Sequence, residues 1–546
     1  MQDATAKDAN ASDAGTFDFV IVGAGSAGCV LANRLSADGR HSVAVLEAGP
    51  EDRDWWIHIP LGYAKLFRRP RVNWMFETAP EKELNGRQVY QPRGKVLGGS
   101  SSINGLVYIR GQREDFDHWR QLGNAGWSAD DVLPYFRRAE GNVRGADDQH
   151  GSDGPLGVSD PHTHELTEAF IASAVHEGLP RTRDFNGVAQ EGVGYFQTTS
   201  RNGRRCSAAV AYLRPARKRQ NLTVITEALT DRLVVTEGRA TGVLFRQGGV
   251  EKIVHARREI ILSAGAYGSP TIMQRSGLGP AELLAAHGIP VIRDIPGVGA
   301  DLQDHLQSRC VIRCTRPITL NDMTTSMVGK ARLGLEWLFT RSGWLTIAAG
   351  HAGAFFRTDP RLASPDVQVH FIPFSTDKMG ENLHPFPGFM AHVCQLRPES
   401  RGTVRITASD PSARPEIRMN YLTAENDRAT MLAGLKKLRA IMHAPPLAPY
   451  VAAEVEPGPG AVTDDALMEH IRNKASTVYH PTSTCRMGSD PRAVVDERLR
   501  VKAVSGLRVA DCAIMPSLVS GNTNAAAIMI GEKASDMILE DARAAA

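Results

Sequence analysis

The sequence predicts a mixed α/β fold, α+β overall, in which a Rossmann-like domain is joined to a second domain that contains an antiparallel sheet flanked by helices. Three observations predict it. Residues 17–47 alternate an apolar run, a glycine-rich turn, a helical pattern and another apolar run. Residues 221–245 carry short β-branched runs with turns between them, and residues 306–480 mix strand-like and helical patterns. With 546 residues the chain is long enough for several domains of ordinary size.

The first unit follows the order strand, helix, strand. Residues 17–23 form a short apolar run typical of a buried parallel strand, and residues 29–35 are apolar with helical spacing. Residues 42–47 form a second buried strand. A helix that connects two adjacent strands in this way makes them parallel, so this segment predicts a βαβ unit.

The later segments predict the rest of both domains. A meander of short strands leads to a buried strand over residues 258–265. Beyond residue 306, strands alternate with helices, which favours a separate domain, and the chain then forms a last buried strand and a long helix. The meander strands are predicted at 221–226, 232–236 and 240–245, the later elements at 367–372, 402–407, 428–442, 507–511 and 525–539.

Composition excludes several classes of function. Lys and Arg total 63 against 60 Asp and Glu, so the formal net charge is +3 and offers no basic field for nucleic acid. The seven cysteines are widely spread without a C-x-x-C pair, so we expect reduced, mostly buried thiols and no metal site. No run of 18 apolar residues occurs, and residues 1–16 predict a flexible acidic tail rather than a signal peptide. We therefore expect a cytoplasmic protein, soluble or at most peripheral to a membrane.

The turn after the first strand carries a dinucleotide fingerprint. Gly23, Gly25 and Gly28 stand in the order G-x-G-x-x-G between a strand and a helix, which allows a tight turn, a close approach to a pyrophosphate and close helix–strand packing. The helix N-terminus offers free N–H groups to phosphates. Glu47, at the end of the second strand, can accept both ribose hydroxyls. The pattern fits FAD and NAD equally and argues against NADP.

A second glycine-rich loop spans residues 93–104. Gly98 and Gly99 allow the backbone to press against a flat ring, and Ser100 begins a run of three serines that can cap a helix or contact phosphate. Taken alone, the segment fits an ordinary surface loop with a serine N-cap equally well.

Three longer strings resemble signatures of one enzyme family. Residues 94–117 and 265–279 resemble the first and second signatures of the glucose–methanol–choline (GMC) oxidoreductases, and residues 479–524 resemble their catalytic region. The likeness extends from Phe17 to Leu539, and the motifs occur in family order. Residues 102–111 are most similar to the choline-dehydrogenase-like and FAD-dependent alcohol dehydrogenase branch.

The resemblance implies a discontinuous organisation: an FAD-binding domain over residues 17–155, 205–305 and 490–546, and a substrate-binding domain over residues 156–204 and 306–489. Some family members tether FAD through a histidine immediately before the Asn of the second loop. Here that position is Ile103, so we expect non-covalent FAD. The residues predicted to contact the cofactor are Gly23, Gly25, Ser26, Ala27, Gly28, Glu47, Ala48, Trp74, Arg93, Val96, Gly98, Gly99, Ser100, Asn104, Gly105, Leu106, Val107, Thr230, Ala264, Tyr479, Asp511 and Thr523.

Alcohol oxidation needs a base for the hydroxyl proton and a group that holds the developing alkoxide. An imidazole suits the first role because its unperturbed pKa is near physiological pH. By the resemblance, His480 is the catalytic base and Asn522 is its hydrogen-bonding partner. Asn524 is expected to cap the following helix, and a capping role is the alternative for Asp511.

The sequence thus predicts an FAD-dependent oxidation of a primary alcohol to the aldehyde, with electrons passed to a quinone or another acceptor. The alternatives are an oxygen-using alcohol oxidase, a non-redox lyase or photodecarboxylase on the same fold, and a binding module without turnover. Aliphatic, polyether, aryl and furanic alcohols all remain candidate substrates, and the oligomeric state is open.

Overall fold

Two seven-stranded β-sheets organise the computed structural model, which describes residues 11–378 and 380–544. Their strands, numbered in chain order, are β1 (Ser12–Val22), β2 (Val43–Leu46), β3 (Gly192–Tyr195), β4 (Leu222–Ile225), β5 (Leu229–Thr236), β6 (Arg239–Gln247), β7 (Val250–Leu262), β8 (Leu306–Cys314), β9 (Ala352–Phe356), β10 (Val367–Ile372), β11 (Gly388–Gln395), β12 (Val451–Glu456), β13 (Ser476–Thr477) and β14 (Leu507–Val509).

The longer helices, those of nine residues or more, pack around these sheets. They are α1 (Ser26–Leu35), α2 (Arg113–Gln121), α3 (Ala129–Ala139), α4 (Glu165–His176), α5 (Gly265–Arg275), α6 (Met327–Thr340), α7 (Glu425–His443), α8 (Asp464–Lys474) and α9 (Asn524–Ala544). Shorter helical turns include Trp55–His58, Tyr63–Leu66, Gly99–Ser102, Ala209–Leu213, Ala281–Ala286, Leu320–Met323, Trp344–Thr346 and Cys512–Ile514. Two-stranded ribbons pair Phe76–Glu77 with Tyr90–Gln91, Glu140–Asn142 with Leu156–Val158, Ser200–Arg201 with Arg204–Arg205, Leu278–Gly279 with Arg293–Asp294, and Thr403–Arg405 with Glu416–Arg418.

The first sheet has the strand order β4-β2-β1-β7-β6-β5. Strands β4, β2, β1 and β7 are parallel, as is β14, which pairs with the end of β7. Strands β5 and β6 are antiparallel and form the meander that the β-branched runs predict. All four residues of β2 are buried, as expected for a parallel strand covered on both faces. The predicted βαβ unit is confirmed, with α1 joining β1 to β2.

The second sheet is antiparallel, in the order β12-β8-β11-β10-β9-β3, with β13 paired to β8. Every residue of β10 and β11 is buried, and helices α4 and α7 pack on this sheet. The predicted antiparallel sheet flanked by helices is therefore present. Its strands fall within the ranges expected for a substrate-binding domain, whose exact boundaries stay a prediction.

The N-terminal segment differs from the expectation of a flexible tail over residues 1–16. Strand β1 begins at Ser12, and Ser12 and Asp13 pair with Lys252 and Ile253 of the long strand β7. Residues 1–10 lie outside the described part of the chain. Strand β1 begins before its apolar residues 17–22 because the long strand β7 continues alongside it and supplies backbone hydrogen-bond partners.

The described structure bears on the predictions about cysteines, metal sites and membrane-spanning helices. All seven cysteines are free thiols, six of them buried, as predicted. Within residues 11–378 and 380–544, no group of His, Cys, Asp and Glu has the arrangement of a metal site. In the same part of the chain, no helix has the length and apolar character needed to cross a bilayer.

Candidate active site

A cavity of about 500 Å³ has walls from both sheets. Glu47 follows β2, and Ser263 follows β7, both on the first sheet; His370 of β10 and His392 of β11 come from the second. The carboxyl ends of parallel strands and the N-termini of the following helices meet here, which is the usual position of ligand sites in open α/β sheets.

The G-x-G-x-x-G turn forms one end of this cavity. Gly23, Gly25, Ser26 and Ala27 line it, and Gly23 has φ +100°, with a Cβ there lying 2.5 Å from the Ser263 carbonyl oxygen. Helix α1 starts without a side-chain cap and without an acidic residue in its first turn. Its first N–H groups are therefore available to an anion.

Gly28 does not line the cavity. A Cβ at this position would lie 1.9 Å from the Gly23 carbonyl oxygen, so the residue permits α1 to pack closely on its own turn. This is the packing role that the fingerprint predicts for the third glycine.

Glu47 and Ala48 also line the cavity. The Glu47 carboxylate accepts hydrogen bonds from the backbone N–H groups of Ala24 (3.0 Å) and Gly49 (2.9 Å), which ties the end of β2 to the glycine turn. Burial raises the pKa of Glu47 to about 7, with Lys95 acting in the opposite direction. A carboxylate has about four lone-pair sites, so acceptor capacity for ribose hydroxyls remains.

The second glycine-rich loop packs directly on the first. The Gly98 N–H donates to the Ala24 carbonyl oxygen at 2.7 Å, and a Cβ on Gly99 would lie 2.7 Å from the Gly25 Cα. Gly99 and Ser100 line the cavity, whereas Gly98 does not. Val96 also lies outside the lining. It is fully buried in an apolar cluster with Ile57, Leu66, Val72 and Ile103.

Residues 104–107 continue the wall, with Asn104, Gly105, Leu106 and Val107 all on the lining. The Asn104 Oδ1 accepts from Arg205 Nη1 at 2.6 Å and from the Leu106 N–H at 3.2 Å. Burial lowers the pKa of Arg205 to about 9. A Cβ on Gly105 would lie 2.2 Å from the Ala349 Cβ, so only glycine permits this approach of the two segments.

The remaining predicted cofactor residues reach the same cavity from dispersed segments. Arg93 donates through Nη2 to the Tyr479 carbonyl oxygen at 2.7 Å, which fixes the backbone next to His480. Trp74 stacks on Phe76 with ring centroids 5.7 Å apart. The predicted residues on the lining in this group are Trp74, Arg93, Thr230, Ala264, Tyr479, Asp511 and Thr523.

Asp511 has the capping role that the sequence left open. Its carboxylate accepts from the Gly265 N–H (2.8 Å), the Ser269 hydroxyl (2.6 Å) and the Ala513 N–H (2.7 Å), so it joins the start of α5 to the turn after β14. Asn524 is the first residue of α9, and its Oδ1 accepts from the Ser26 hydroxyl at 2.8 Å. This contact with α1, rather than a cap on α9, is the hydrogen bond the Asn524 side chain makes.

His480 is held by hydrogen bonds on its backbone and its ring. Its N–H donates to Asp304 Oδ1 at 2.7 Å, and its Nδ1 lies 3.0 Å from His305 Nδ1. His305 Nε2 lies 3.0 Å from the Leu396 carbonyl oxygen, which only accepts, so Nε2 carries the hydrogen. His305 Nδ1 is then an acceptor, and His480 Nδ1 must donate to it. The network therefore assigns the unprotonated lone pair of His480 to Nε2.

Asn522 faces that lone pair. Its Nδ2 lies 3.2 Å from His480 Nε2, while its Oδ1 accepts from Gln368 Nε2 at 3.1 Å. Because His480 Nε2 carries a lone pair and can only accept, the amide nitrogen of Asn522 is the end that faces it, and the amide oxygen is left to accept from Gln368. The two predicted catalytic residues, which lie 42 positions apart in the sequence, are thus in direct contact.

Burial keeps these imidazoles neutral. It lowers the pKa of His480 well below its ordinary value of 6.5, and the neighbouring His305 and His370 act in the same direction. Burial likewise lowers the pKa of His305 to about 4. At neutral pH the site therefore presents an imidazole in its basic form.

Several lining residues were missed by the sequence analysis. His370 and His392 are direct cross-strand partners on β10 and β11, and Gln307 projects from β8. Burial lowers the pKa of His370 to about 4 and that of His392 to about 3. A signal was available: each histidine is a polar residue in the interior of a mostly apolar strand. His305 gave no comparable signal because its role depends on contacts with distant segments.

The residues present fit a flavin dinucleotide. The uncapped N-terminus of α1 and the close contact between Gly25 and Gly99 provide a backbone surface for a pyrophosphate. Glu47 can receive the ribose, and the loop from Ser100 to Val107 would border the ring system near His480. When bound, FAD supplies a hydride acceptor.

The chain is similar to known proteins over nearly its whole length. A family model described as GMC oxidoreductase matches residues 17–307, and a second with the same description matches residues 398–531. The chain is 44% identical over 530 residues to an oxygen-dependent choline dehydrogenase of Yersinia pseudotuberculosis, covering 96% of this chain and 93% of the relative. It is 42% identical to an alcohol dehydrogenase (acceptor) of Pseudomonas putida, covering 96% of each. Among solved structures, pyridoxine 4-oxidase from Mesorbium loti superimposes with a TM-score of 0.87 at 32% identity, over 95% of this chain and 98% of that one.

Proposed function

The chain belongs to the GMC oxidoreductase family and is an FAD-dependent oxidoreductase that acts on CH–OH donors, and from this premise we propose that it oxidises a primary alcohol to the aldehyde. The observation that carries the proposal is the pair formed by His480 Nε2 and Asn522 Nδ2 at the cavity wall. One is an unprotonated acceptor and the other an N–H donor, which are the two groups that an alcohol hydroxyl needs.

In this proposal the alcohol oxygen binds between the two side chains. Its hydroxyl donates to His480 Nε2, which takes the proton as a general base. The Asn522 amide donates to the same oxygen and stabilises the negative charge that develops there. An amide has no basic nitrogen, so His480 is the only proton acceptor of the pair.

His305 supports the base from behind. As the His480 ring gains a proton at Nε2, its Nδ1–H bond to His305 becomes charge-assisted and therefore stronger. Gln368 plays the corresponding role for Asn522 by fixing the orientation of the amide. Both residues act through another side chain and are positioning residues.

We further propose that the substrate is an uncharged alcohol and not a quaternary ammonium alcohol. Among the described residues that line the cavity, the only carboxylates are Glu47 and Asp511, and both accept backbone N–H groups where the cofactor would bind. The substrate side presents the neutral His370, His392 and Gln307 instead. The name of the Pseudomonas putida relative supports an alcohol, whereas that of the Yersinia relative supports choline.

A matched pair of alcohols tests this assignment. Choline and 3,3-dimethylbutan-1-ol have nearly the same shape and differ by one positive charge. We expect the neutral alcohol to reduce the flavin with a higher kcat/KM in anaerobic stopped-flow experiments. A Gln307→Glu variant should shift the ratio toward choline, and Gln307→Met, which adds no charge, should not. Faster reduction of the wild type by choline would refute the substrate class.

We propose that electrons leave to a quinone or another non-oxygen acceptor, since the alcohol-oxidising relative carries "acceptor" in its name. Reoxidation of the reduced protein by a water-soluble quinone analogue should be faster than by dissolved oxygen. Faster reoxidation by oxygen would instead identify an oxidase.

A further inference from the structure

Helix α6 (Met327–Thr340) carries an unusual concentration of exposed apolar side chains. Met327, Val328 and Phe339 are each 79% exposed, Leu335 is 54% and Leu338 is 52% exposed. Among the described residues, the other exposed large apolar side chains each stand alone on their element or loop. Single exposed apolar residues are ordinary, whereas a contiguous set marks an interaction surface.

These side chains form one face of the helix. With about 100° between successive residues, Met327, Leu338, Leu335, Val328 and Phe339 fall within an arc of about 120°. Leu333, the only buried residue of α6, lies about 180° from the centre of that arc. We call these five residues the α6 apolar face. It points away from the protein because Leu333 packs on the opposite side, against a cluster that includes Ile347 and Ile372.

Cationic side chains flank this face. On the same projection Arg332 lies about 20° beyond one edge of the arc and Lys330 about 60° beyond the other, and Arg341 is the C-cap that follows the helix. Lys330 and Arg332 are exposed and, among the described residues, take part in no ion pair. Glu336, the one acidic residue of α6, lies about 60° beyond the edge that carries Arg332, so the helix and its C-cap together hold three cations and one carboxylate.

We propose that the α6 apolar face docks onto the surface of an anionic lipid bilayer. The apolar side chains enter the boundary between headgroups and acyl chains, and the flanking cations bind the lipid phosphates, the arrangement found in helices that lie in the membrane plane. Fourteen residues are too few to span a bilayer, so the helix lies on the membrane. The bilayer is favoured because cations outnumber carboxylates on this helix. A second copy of the chain, whose antiparallel pairing would bring Arg332 of one copy near Glu336 of the other, is the alternative that the sedimentation experiment below tests.

Docking here would place the membrane near the substrate side of the cavity. The cluster that anchors Leu333 contains Ile372, which also lines the cavity, and the chain that leaves α6 reaches the lining at Ala349. The inference does not depend on the proposed substrate, since it concerns where the protein binds and not what it oxidises.

Vesicle flotation tests the proposal with the intact holoenzyme. Wild-type protein should float with phosphatidylcholine vesicles that contain phosphatidylglycerol, and less with phosphatidylcholine alone or at high salt. Leu335→Gln together with Phe339→Gln should lower the floated fraction at least tenfold, and Lys330→Glu with Arg332→Glu should abolish the preference for anionic lipid. Turnover with a soluble acceptor reports that the variants fold, since none of these residues lines the cavity.

Val188→Gln with Val462→Gln is the matched control, because these two residues are 91% and 75% exposed but stand alone. The control should float like the wild type. The proposal is overturned if the wild type fails to float with either vesicle, if the α6 variant and the control lose binding equally, or if flotation is unaffected by the α6 variant. It is also overturned if the α6 variant converts a dimer to a monomer in sedimentation experiments but still binds lipid like the wild type.

Discussion

At the scale of single residues, the site depends on which nitrogen of His480 carries its hydrogen. The motif around residues 479–524 predicted His480 and Asn522, and the structure brings Asn522 Nδ2 within 3.2 Å of His480 Nε2. The motif did not predict that His305 sets the tautomer. His305 is hydrogen-bonded to Leu396 and His480, which lie 91 and 175 positions away, and a local sequence pattern carries no record of such contacts.

Two variants at position 305 test the tautomer assignment. His305→Leu removes the acceptor for His480 Nδ1–H and leaves that buried donor unpaired, a cost of about 1–3 kcal/mol that corresponds to about a tenfold to hundredfold slower flavin reduction. His305→Gln can accept from His480 and donate to Leu396, so it should recover most of the rate. Recovery of the rate by His305→Gln would contradict a purely structural role of His305. Equal rates in the two variants would contradict the tautomer assignment.

The pH dependence follows from the lowered pKa of His480. Its ordinary value is 6.5, and burial keeps the ring unprotonated well below that pH. A base with a lowered pKa stays active as the pH falls through 6.5 and loses activity only in more acidic solution. The rate constant for flavin reduction should therefore be constant from neutral to mildly alkaline pH. An acidic limb centred at or above 6.5 would show that the ring is not shielded as the structure indicates.

At the scale of elements, two glycine-rich loops form a single surface. The sequence predicted the turn before α1 and the loop at residues 93–104 separately. Their mutual contact, in which Gly99 packs on Gly25, follows from the long-range pairing of Gly98 with Ala24 and was not visible in either motif. Val96 was predicted to contact the cofactor but packs in an apolar cluster, because sequence adjacency to Gly98 does not specify which way a side chain points.

Gly99→Ala tests this loop contact. The added Cβ would lie 2.7 Å from the Gly25 Cα, and overpacking of this kind costs about 1–3 kcal/mol, so FAD should bind about tenfold to hundredfold more weakly. Gly86→Ala is the control, because Gly86 also has a positive φ but a Cβ there meets nothing within 4 Å. FAD titration of the two apoproteins measures the difference. Equal affinities would contradict the contact.

At the scale of the whole molecule, the cavity exists only when distant segments come together. The first sheet takes strands from the beginning, the middle and the end of the chain, and the second sheet supplies the opposite wall. The family resemblance implied a discontinuous arrangement of two domains, and the strand patterns predicted a sheet in each. Neither was enough to predict the register that places His370 opposite His392, which depends on the pairing of β10 with β11.

Because the site is assembled from separate segments and Ile103 offers no nucleophile for a covalent bond, unfolding the molecule should release the cofactor. Acid precipitation should leave FAD in the supernatant and a colourless pellet. The absorbance of both fractions and the mass of the protein show whether FAD has left the chain. Yellow colour that stays with the pellet, or a protein mass increased by that of FAD, would show a covalent link at another residue.

The central claim is that His480 takes the alcohol proton, and anaerobic stopped-flow reduction of the His480→Ala variant tests it most directly. Loss of a positioned base lowers a rate by about 10²- to 10⁴-fold, so the variant should bind FAD normally and be reduced by alcohol at least a hundred times more slowly than the wild type. Reduction at the wild-type rate, with FAD fully bound, would contradict the account.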